Sequence, residues 1–231
     1  LTAKMLNVDL LVHYGHSCLI PNDPKNSLKV LYVFVDIKID PLHFIETIKL
    51  NFNTEIKISL VSTIQFVTTL QAVSTKLQEL NYKVIVPQFK PLSPGEILGC
   101  TAPIIDDADV LVYLGDGRFH LEAAMIANPK LKAFKYDPYS KEFTREYYDE
   151  DKMKSIRFNS INQVKTANKF GVIMGTLGRQ GNPKVINFIK KRLEFYKKDH
   201  VVILLSEIFP SKLDLFKGIE AFVQVACPRL S

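Results

Sequence analysis

The chain has 231 residues, 47% hydrophobic and 23% charged, a balance that supports a buried core and excludes a disordered, collagen-like or coiled-coil chain. The formal charge of +6 is diffuse; its densest basic run, Lys190-Lys191-Arg192 with Lys197-Lys198, falls at helical spacing and reads as a solvated face, so no direct nucleic-acid partner is expected. The three cysteines, Cys18, Cys100 and Cys227, form no C-x-x-C pair, which argues against a secreted disulfide framework and for a reducing, cytoplasmic compartment; no apolar run reaches the length of a membrane span, and no signal peptide is visible.

Along the chain, short β-branched runs alternate with longer amphipathic stretches. Strands are expected over residues 10–14, 29–35, 57–63, 82–86, 110–114, 133–136, 170–175, 201–205 and 222–226. Most are near-continuous apolar runs, as in Val201-Val202-Ile203-Leu204-Leu205, which suits parallel strands covered on both faces. Helices are expected over 65–80, with Phe66, Leu70, Val73, Leu77 and Leu80 as its stripe, over 151–169, and over 183–196, where Pro183 suits the first turn. The alternation predicts an α/β fold with parallel sheets.

A weak internal repeat runs through this pattern. Asp9–Gly15, Asp109–Gly115 and Glu220–Ala226 each carry an acid, a strand and a small residue where the strand ends. Ser62-Thr63 followed by a helix, the strand ending at Val86 and the proline-rich Pro91–Pro94 match Gly175-Thr176 followed by a helix, Val201–Leu205 and Pro210. A period of about a hundred residues is too long for a solenoid and predicts triplicated α/β domains. On this reading residues 1–26 are the tail of a truncated first copy, 27–137 the second domain, and 138–231 the third domain with a connecting helix, truncated at its C-terminus.

Open parallel sheets bind ligands beyond the carboxyl ends of their strands, which directs attention to five turns. They are Gly15-His16-Ser17-Cys18, Gly115-Asp116-Gly117-Arg118-Phe119-His120, Gly175-Thr176-Leu177-Gly178-Arg179-Gln180-Gly181, Ser206-Glu207 and Cys227-Pro228-Arg229. Glycines permit close approach of backbone to a ligand, and a glycine-rich turn opening into a helix offers N–H groups to an anion. The 175–181 turn is neither G-x-G-x-x-G nor a P-loop, so it does not by itself indicate NAD or ATP, and taken alone such a sequence is more often a tight turn than a ligand site. Cys18 beside His16 reads either as a small buried hydrophobe or as an activated thiolate. Cys100 and Cys227 lie at element ends, where a thiolate can be offered to a metal, but their separation forms no local metal motif.

The stretches LLVHYGHSCLIP (10–21), LVSTIQF (60–66), PLSPGEILGCTAP (91–103), VYLGDGRFHLEAAMIANP (112–129), YDPYSKEFTREYYD (136–149), GTLGRQGNPK (175–184), LLSEIFPSKL (204–213) and VQVACPRLS (223–231) resemble the diphthamide-biosynthesis family, the aminocarboxypropyl-histidine synthases. The resemblance is collinear and covers nearly the whole chain. It implies three similar α/β domains, each giving one cysteine to a four-iron four-sulfur cluster whose fourth iron is left for S-adenosylmethionine, the open-position logic of a catalytic metal site. By motif, Cys100 in LGCT and Cys227 in ACPR are the second- and third-domain ligands; Cys18 is not a ligand, and the first-domain cysteine is expected to precede residue 1.

The implied chemistry is reductive cleavage of S-adenosylmethionine between sulfur and the methionine γ-carbon. The resulting 3-amino-3-carboxypropyl radical adds to C2 of a histidine in translation elongation factor 2, the first step of diphthamide synthesis. No catalytic residue beyond the cluster is implied. The cofactor-binding candidates are Gly115, Asp116, Gly117, Gly175, Thr176, Gly178, Arg179, Gln180, Ser206 and Glu207. Glycine-turn amides would hold the carboxylate, Asp116 or Glu207 would face the sulfonium or amino group, and Arg179 and Gln180 would bind carboxylate or ribose. Implied partners are elongation factor 2, a related subunit 2 in a heterodimer, and a small iron-bearing electron donor; no membrane is involved. With two of three ligands, this stretch alone is expected to hold no intact cluster and to be inactive. The competing readings are a non-catalytic scaffold subunit of the same complex and an α/β nucleotide-binding protein without a cluster.

Overall fold

A computed structural model describes residues 3, 6–15, 28–176 and 181–226. They divide into two compact units, Leu1–Glu150 and Asp151–Ser231.

The first unit is built on a five-stranded sheet. Its strands are β3 (Lys57–Ser62), β4 (Lys83–Ile85), β5 (Val110–Leu114), β6 (Lys132–Tyr136) and β7 (Phe143–Glu146), in the order β4-β3-β5-β6-β7. The first four are mutually parallel, and β7 is antiparallel at the edge. Helices α1 (Pro41–Asn51) and α2 (Val67–Glu79) cover one face: Phe44, Ile48, Leu70, Val73 and Leu77 pack on Ile58, Leu60, Val110 and Val112. Helix α3 (Phe119–Ala127) covers the other, where Leu121, Ala124 and Met125 meet Val61, Leu111, Tyr113 and Ala133. With both faces covered, β5 is buried at all five positions, which is why its sequence shows no alternation. Burying each such Leu or Phe side chain stabilises the unit by about 1.5–3 kcal/mol.

A separate parallel pair, β1 (Leu10–Tyr14) and β2 (Lys29–Val33), lies in the same unit. It repeats the β5–β6 pair. Gly15 N–H donates to Val33 O at 3.0 Å, as Gly115 N–H donates to Tyr136 O at 3.0 Å.

In the second unit, β8 (Lys169–Gly175), β9 (Asp199–Leu205) and β10 (Ala221–Val225) form a parallel sheet in the order β10-β8-β9. Helices α4 (Glu150–Gln163), α5 (Pro183–Phe195) and α6 (Pro210–Leu213) complete the described elements. The connectivity repeats that of the first unit. A central strand (β3, β8) leads through a helix (α2, α5) to one flank (β4, β9), and the next strand (β5, β10) takes the other flank. The repeat read from the sequence is therefore structural, and the predicted parallel α/β class is the observed one.

Several elements differ from the sequence expectation, for local reasons. Helix α1 was not expected; Asp40 caps it through Oδ1, which accepts the Leu42 N–H at 2.9 Å, and Pro41 opens its first turn. Helix α3 is apolar almost all round, so it shows no amphipathic period. Strand β7 follows a turn in which Asp137 Oδ1 accepts the Tyr139 N–H at 2.9 Å and Lys141 takes a positive φ of 57°. Helix α4 ends at Gln163, short of the expected 169, because the Asn168 N–H is taken by Glu220 Oε2 at 2.7 Å and Lys169 enters the sheet. On β9, Val201, Val202 and Leu204 are exposed, so the two-sided coverage inferred from its apolar run holds for the first unit's central strands and not for this one.

Candidate functional site

In the first unit the candidate groups gather beyond the carboxyl ends of β3 and β5. These strands sit where the chain order reverses across the sheet, the usual position for a ligand in open α/β sheets. The segment carrying Cys100 is tied to the end of β3. Ser62 N–H donates to Gly95 O at 2.8 Å, and Ile97 N–H donates to Ser62 O at 2.9 Å. Gly95 holds φ +82°, and a Cβ there would lie 2.9 Å from Val86 Cγ1 and overlap Leu70 Cδ2. The neighbouring Glu96 is buried; its Oε2 accepts the Ser93 N–H at 3.0 Å, and its Oε1 has no partner among the described residues.

From this root the chain runs into a closed turn. Leu98 N–H donates to Thr101 O at 3.0 Å and Thr101 N–H to Leu98 O at 3.2 Å, which puts Gly99 and Cys100 at the tip. The Cys100 thiol is exposed there, with Thr101 Oγ1 3.7 Å from Sγ.

The turn after β5 packs close by. Gly115 is buried, and a Cβ on it would lie 2.6 Å from Tyr113 Cζ. Tyr113 is fully buried, and its hydroxyl donates to Asp116 O at 3.3 Å. Burial first, and then the Asp116 charge, push the phenol far above its ordinary pKa, so it stays a neutral donor. Asp116 is exposed, and Gly117 takes φ +62° with open space around it. Arg118 turns away from this site. Its Nε donates to Glu122 Oε1 at 2.9 Å, one terminal nitrogen to Glu146 Oε2 at 2.6 Å and the other to Tyr147 O, so it braces the end of β7.

Between these turns lies a cavity of about 340 Å³, its walls including Gly15, Thr63, Gln65, Ile97, Leu98 and His120. It is largely apolar, with its polar groups on the β3 exit and the α3 start. None of Thr63, Gln65 or Ile97 is singled out by the sequence reading. The available signal was the Ser62-Thr63 step of the internal repeat.

In the second unit, Gly175 and Thr176 end β8, and Ser206 and Glu207 follow β9. The adjacent strands bring them together: Thr176 N–H donates to Leu205 O at 2.8 Å. Gly175 is buried, and a Cβ there would lie 2.7 Å from Ala226 Cβ. Ser206 and Glu207 are exposed, and Glu207 O accepts from Lys212 Nζ at 3.2 Å. Cys18, Gly178, Arg179, Gln180 and Cys227 lie outside the described residues.

The family model for diphthamide synthesis proteins matches residues 1–231. The chain belongs to this family. It is 58% identical over 230 residues to the 2-(3-amino-3-carboxypropyl)histidine synthase subunit 1 of Nematostella vectensis, covering 100% of this chain and 49% of that protein. It is 54% identical over 232 residues to the Homo sapiens protein of the same name, covering 100% of this chain and 53% of that one. The chain thus spans about half the length of the curated relatives it matches. Among solved structures, it is similar to Dph2 from Pyrococcus horikoshii with a 4Fe-4S cluster, at TM-score 0.78 and 26% identity, covering 99% of this chain and 67% of that one.

A solved structure similar to this chain thus holds a 4Fe-4S cluster. A thiolate is the donor such a cluster takes, and Cys100 presents its sulfur outward at a turn tip, where iron can reach it. Among the described residues no group of three or more His, Cys, Asp or Glu could hold a metal by itself. Among the described residues, Cys100 is thus a single exposed thiol with no such group gathered around it. No helix among the described residues is long and apolar enough to cross a membrane.

Proposed function

We propose that this chain forms part of a cytoplasmic aminocarboxypropyl transferase that modifies C2 of a histidine in translation elongation factor 2, drawing the 3-amino-3-carboxypropyl group from S-adenosylmethionine. The observation that supports it most is family membership across all 231 residues, joined to a Cys100 thiol displayed beyond the carboxyl ends of the strands. In this reading Cys100 and Cys227 are cluster ligands. A bound four-iron four-sulfur cluster supplies the electron that cleaves the sulfur–carbon bond of S-adenosylmethionine by a radical route.

The chain's own residues bind and orient. Gly115 and Thr176 already donate their N–H groups to the sheet, so in the first unit a substrate carboxylate falls to the next amides of the turn, those of Asp116 and Gly117. Gly175 allows close approach of the β8 exit. Asp116 and Glu207, both exposed carboxylates, attract the sulfonium or the α-amino group. Ser206 donates a hydroxyl, and Arg179 and Gln180 take carboxylate or ribose. Gly178 belongs to the same proposed binding set. The largely apolar cavity lined by Leu98 lies beside the Cys100 turn and offers room for the apolar part of a substrate. A related subunit 2 and a small iron-bearing electron donor complete the assembly.

The test is anaerobic iron–sulfide reconstitution of the full-length protein, read by EPR after dithionite and by transfer of labelled aminocarboxypropyl groups to elongation factor 2. The expected result is a reduced four-iron signal that S-adenosylmethionine perturbs and that Cys100→Ala and Cys227→Ala abolish. Absence of signal and transfer in the full-length wild type would overturn the reading.

A further inference from the structure

The Cys100 turn touches one aromatic ring. A Cβ on Gly99 would overlap Cε1 of Phe119 and lie 2.5 Å from its Cζ and 2.6 Å from its Cδ1. The ring edge therefore occupies the space that a side chain at position 99 would need, directly before Cys100. The backbone that carries Phe119 is anchored, although its side chain is about a third exposed (36%). Phe119 is the first residue of α3, its ring stands edge-on to His120 at 5.4 Å, and the preceding Arg118 is anchored on Glu122, Glu146 and the Tyr147 carbonyl. The turn is thus held at both ends: its root by the bonds of Ser62 to Gly95 and Ile97, its tip by Phe119.

We propose that Phe119 is a positioning residue for the Cys100 thiolate, its ring edge holding the Gly99–Cys100 tip in the orientation that presents sulfur to iron. The inference rests on the reading of Cys100 as a cluster ligand. Residues outside a ligand set that orient its members change metal retention about 10–100-fold when removed. A Cβ at position 99 and the ring cannot occupy the same space, so any larger residue there must push the Phe119 ring aside.

The experiment uses the full-length protein carrying Phe119→Ala, Phe119→Tyr, Gly99→Ala or Cys100→Ala. Loaded proteins are compared by the half-time of iron loss to a chelator and by the EPR spectrum after reduction. Unloaded proteins are compared by the alkylation rate of Cys100, read on its own peptide, and by melting temperature. Phe119→Ala is expected to lose iron about tenfold faster, to alter the EPR spectrum and to speed Cys100 alkylation. Phe119→Tyr keeps the ring edge and is expected to match the wild type. Gly99→Ala, which leaves Phe119 in the sequence but forces the two apart, is expected to reproduce the Phe119→Ala defects and covers the case in which Phe119→Ala fails to fold. Wild-type iron retention, spectrum and alkylation in either Phe119→Ala or Gly99→Ala would overturn the proposal, as would a Phe119→Tyr variant as defective as the alanine. Retention of an unchanged cluster in Cys100→Ala would instead overturn the ligand reading beneath it.

Discussion

Asp109 bonds twice to the backbone of Lys57, once through its own N–H and once through its carboxylate. The Asp109 N–H donates to Lys57 O at 2.9 Å, and the Lys57 N–H donates to Asp109 Oδ2 at 2.8 Å. Glu220 does the same at the start of the other sheet, donating its N–H to Lys169 O at 2.9 Å and accepting the Asn168 N–H on Oε2 at 2.7 Å. The acid that precedes β5 and β10 in the sequence repeat therefore has a structural task. It closes the first rung between a central strand and its flank, satisfying an amide that the ladder itself leaves over. Asp109→Ala is expected to lower the stability of the first unit by about 1 kcal/mol, and Asp109→Asn, which keeps an oxygen acceptor, by less. Urea titration monitored by circular dichroism distinguishes the two; equal losses would assign the effect to charge and not to the bond.

Glycine substitutions separate backbone strain from crowding. At Gly117, with φ +62° and open space, alanine is expected to cost about 1–2 kcal/mol, and asparagine less. At Gly95, with φ +82°, the added Cβ also meets Leu70 and Val86 in the core. Gly95→Ala should therefore lower the melting temperature clearly more than Gly117→Ala, and equal shifts would contradict the packing described for the Cys100 segment.

Tyr113 makes stability sensitive to alkali. Burial and the Asp116 charge raise its folded pKa, so its contribution is fully present below the unfolded value of about 10. As pH rises above that, the unfolded chain releases a proton that the folded chain keeps, and stability falls toward the raised folded pKa. Tyr113→Phe removes this titration. Its unfolding free energy should decline less steeply between pH 10 and 11 than that of the wild type. Parallel declines would show that the phenol is not held neutral by the fold.

Asp116 tests the substrate reading at a position the fold does not need. It is exposed, and the bond it makes to Tyr113 uses its backbone carbonyl. Asp116→Ala should leave the melting temperature within about 1–2 °C of the wild type while weakening S-adenosylmethionine binding by about tenfold, the loss expected for one charge-assisted contact. Calorimetric titration of the full-length protein checks it. Unchanged affinity in both Asp116→Ala and Gln180→Ala would remove these turns from the binding site.

The central strands β3 and β5 were legible because covered parallel strands write their burial directly as largely apolar stretches, as in Ile58–Val61 and Val110–Leu114. Helix α2 was legible from its spaced stripe. Helix α1 and strand β7 were not: a capping Asp-Pro and an Asp-initiated turn are common motifs whose meaning depends on what they pack against. Helix α3 escaped because a helix buried on most sides carries no periodic signal.

The sequence by itself determined the α/β class, the repeat and the family, since each is carried by residue type and order along the chain. It also marked Cys100 as a residue of interest through its motif. Only the tertiary structure decided what surrounds that sulfur. Ser62 anchors the root of its turn, Phe119 fills the space at Gly99, Arg118 is drawn away to Glu146, and the amides of Gly115 and Thr176 serve the sheet. These are contacts between segments distant in sequence. Their geometry follows from strand order and packing distance, which no local spacing of residues encodes.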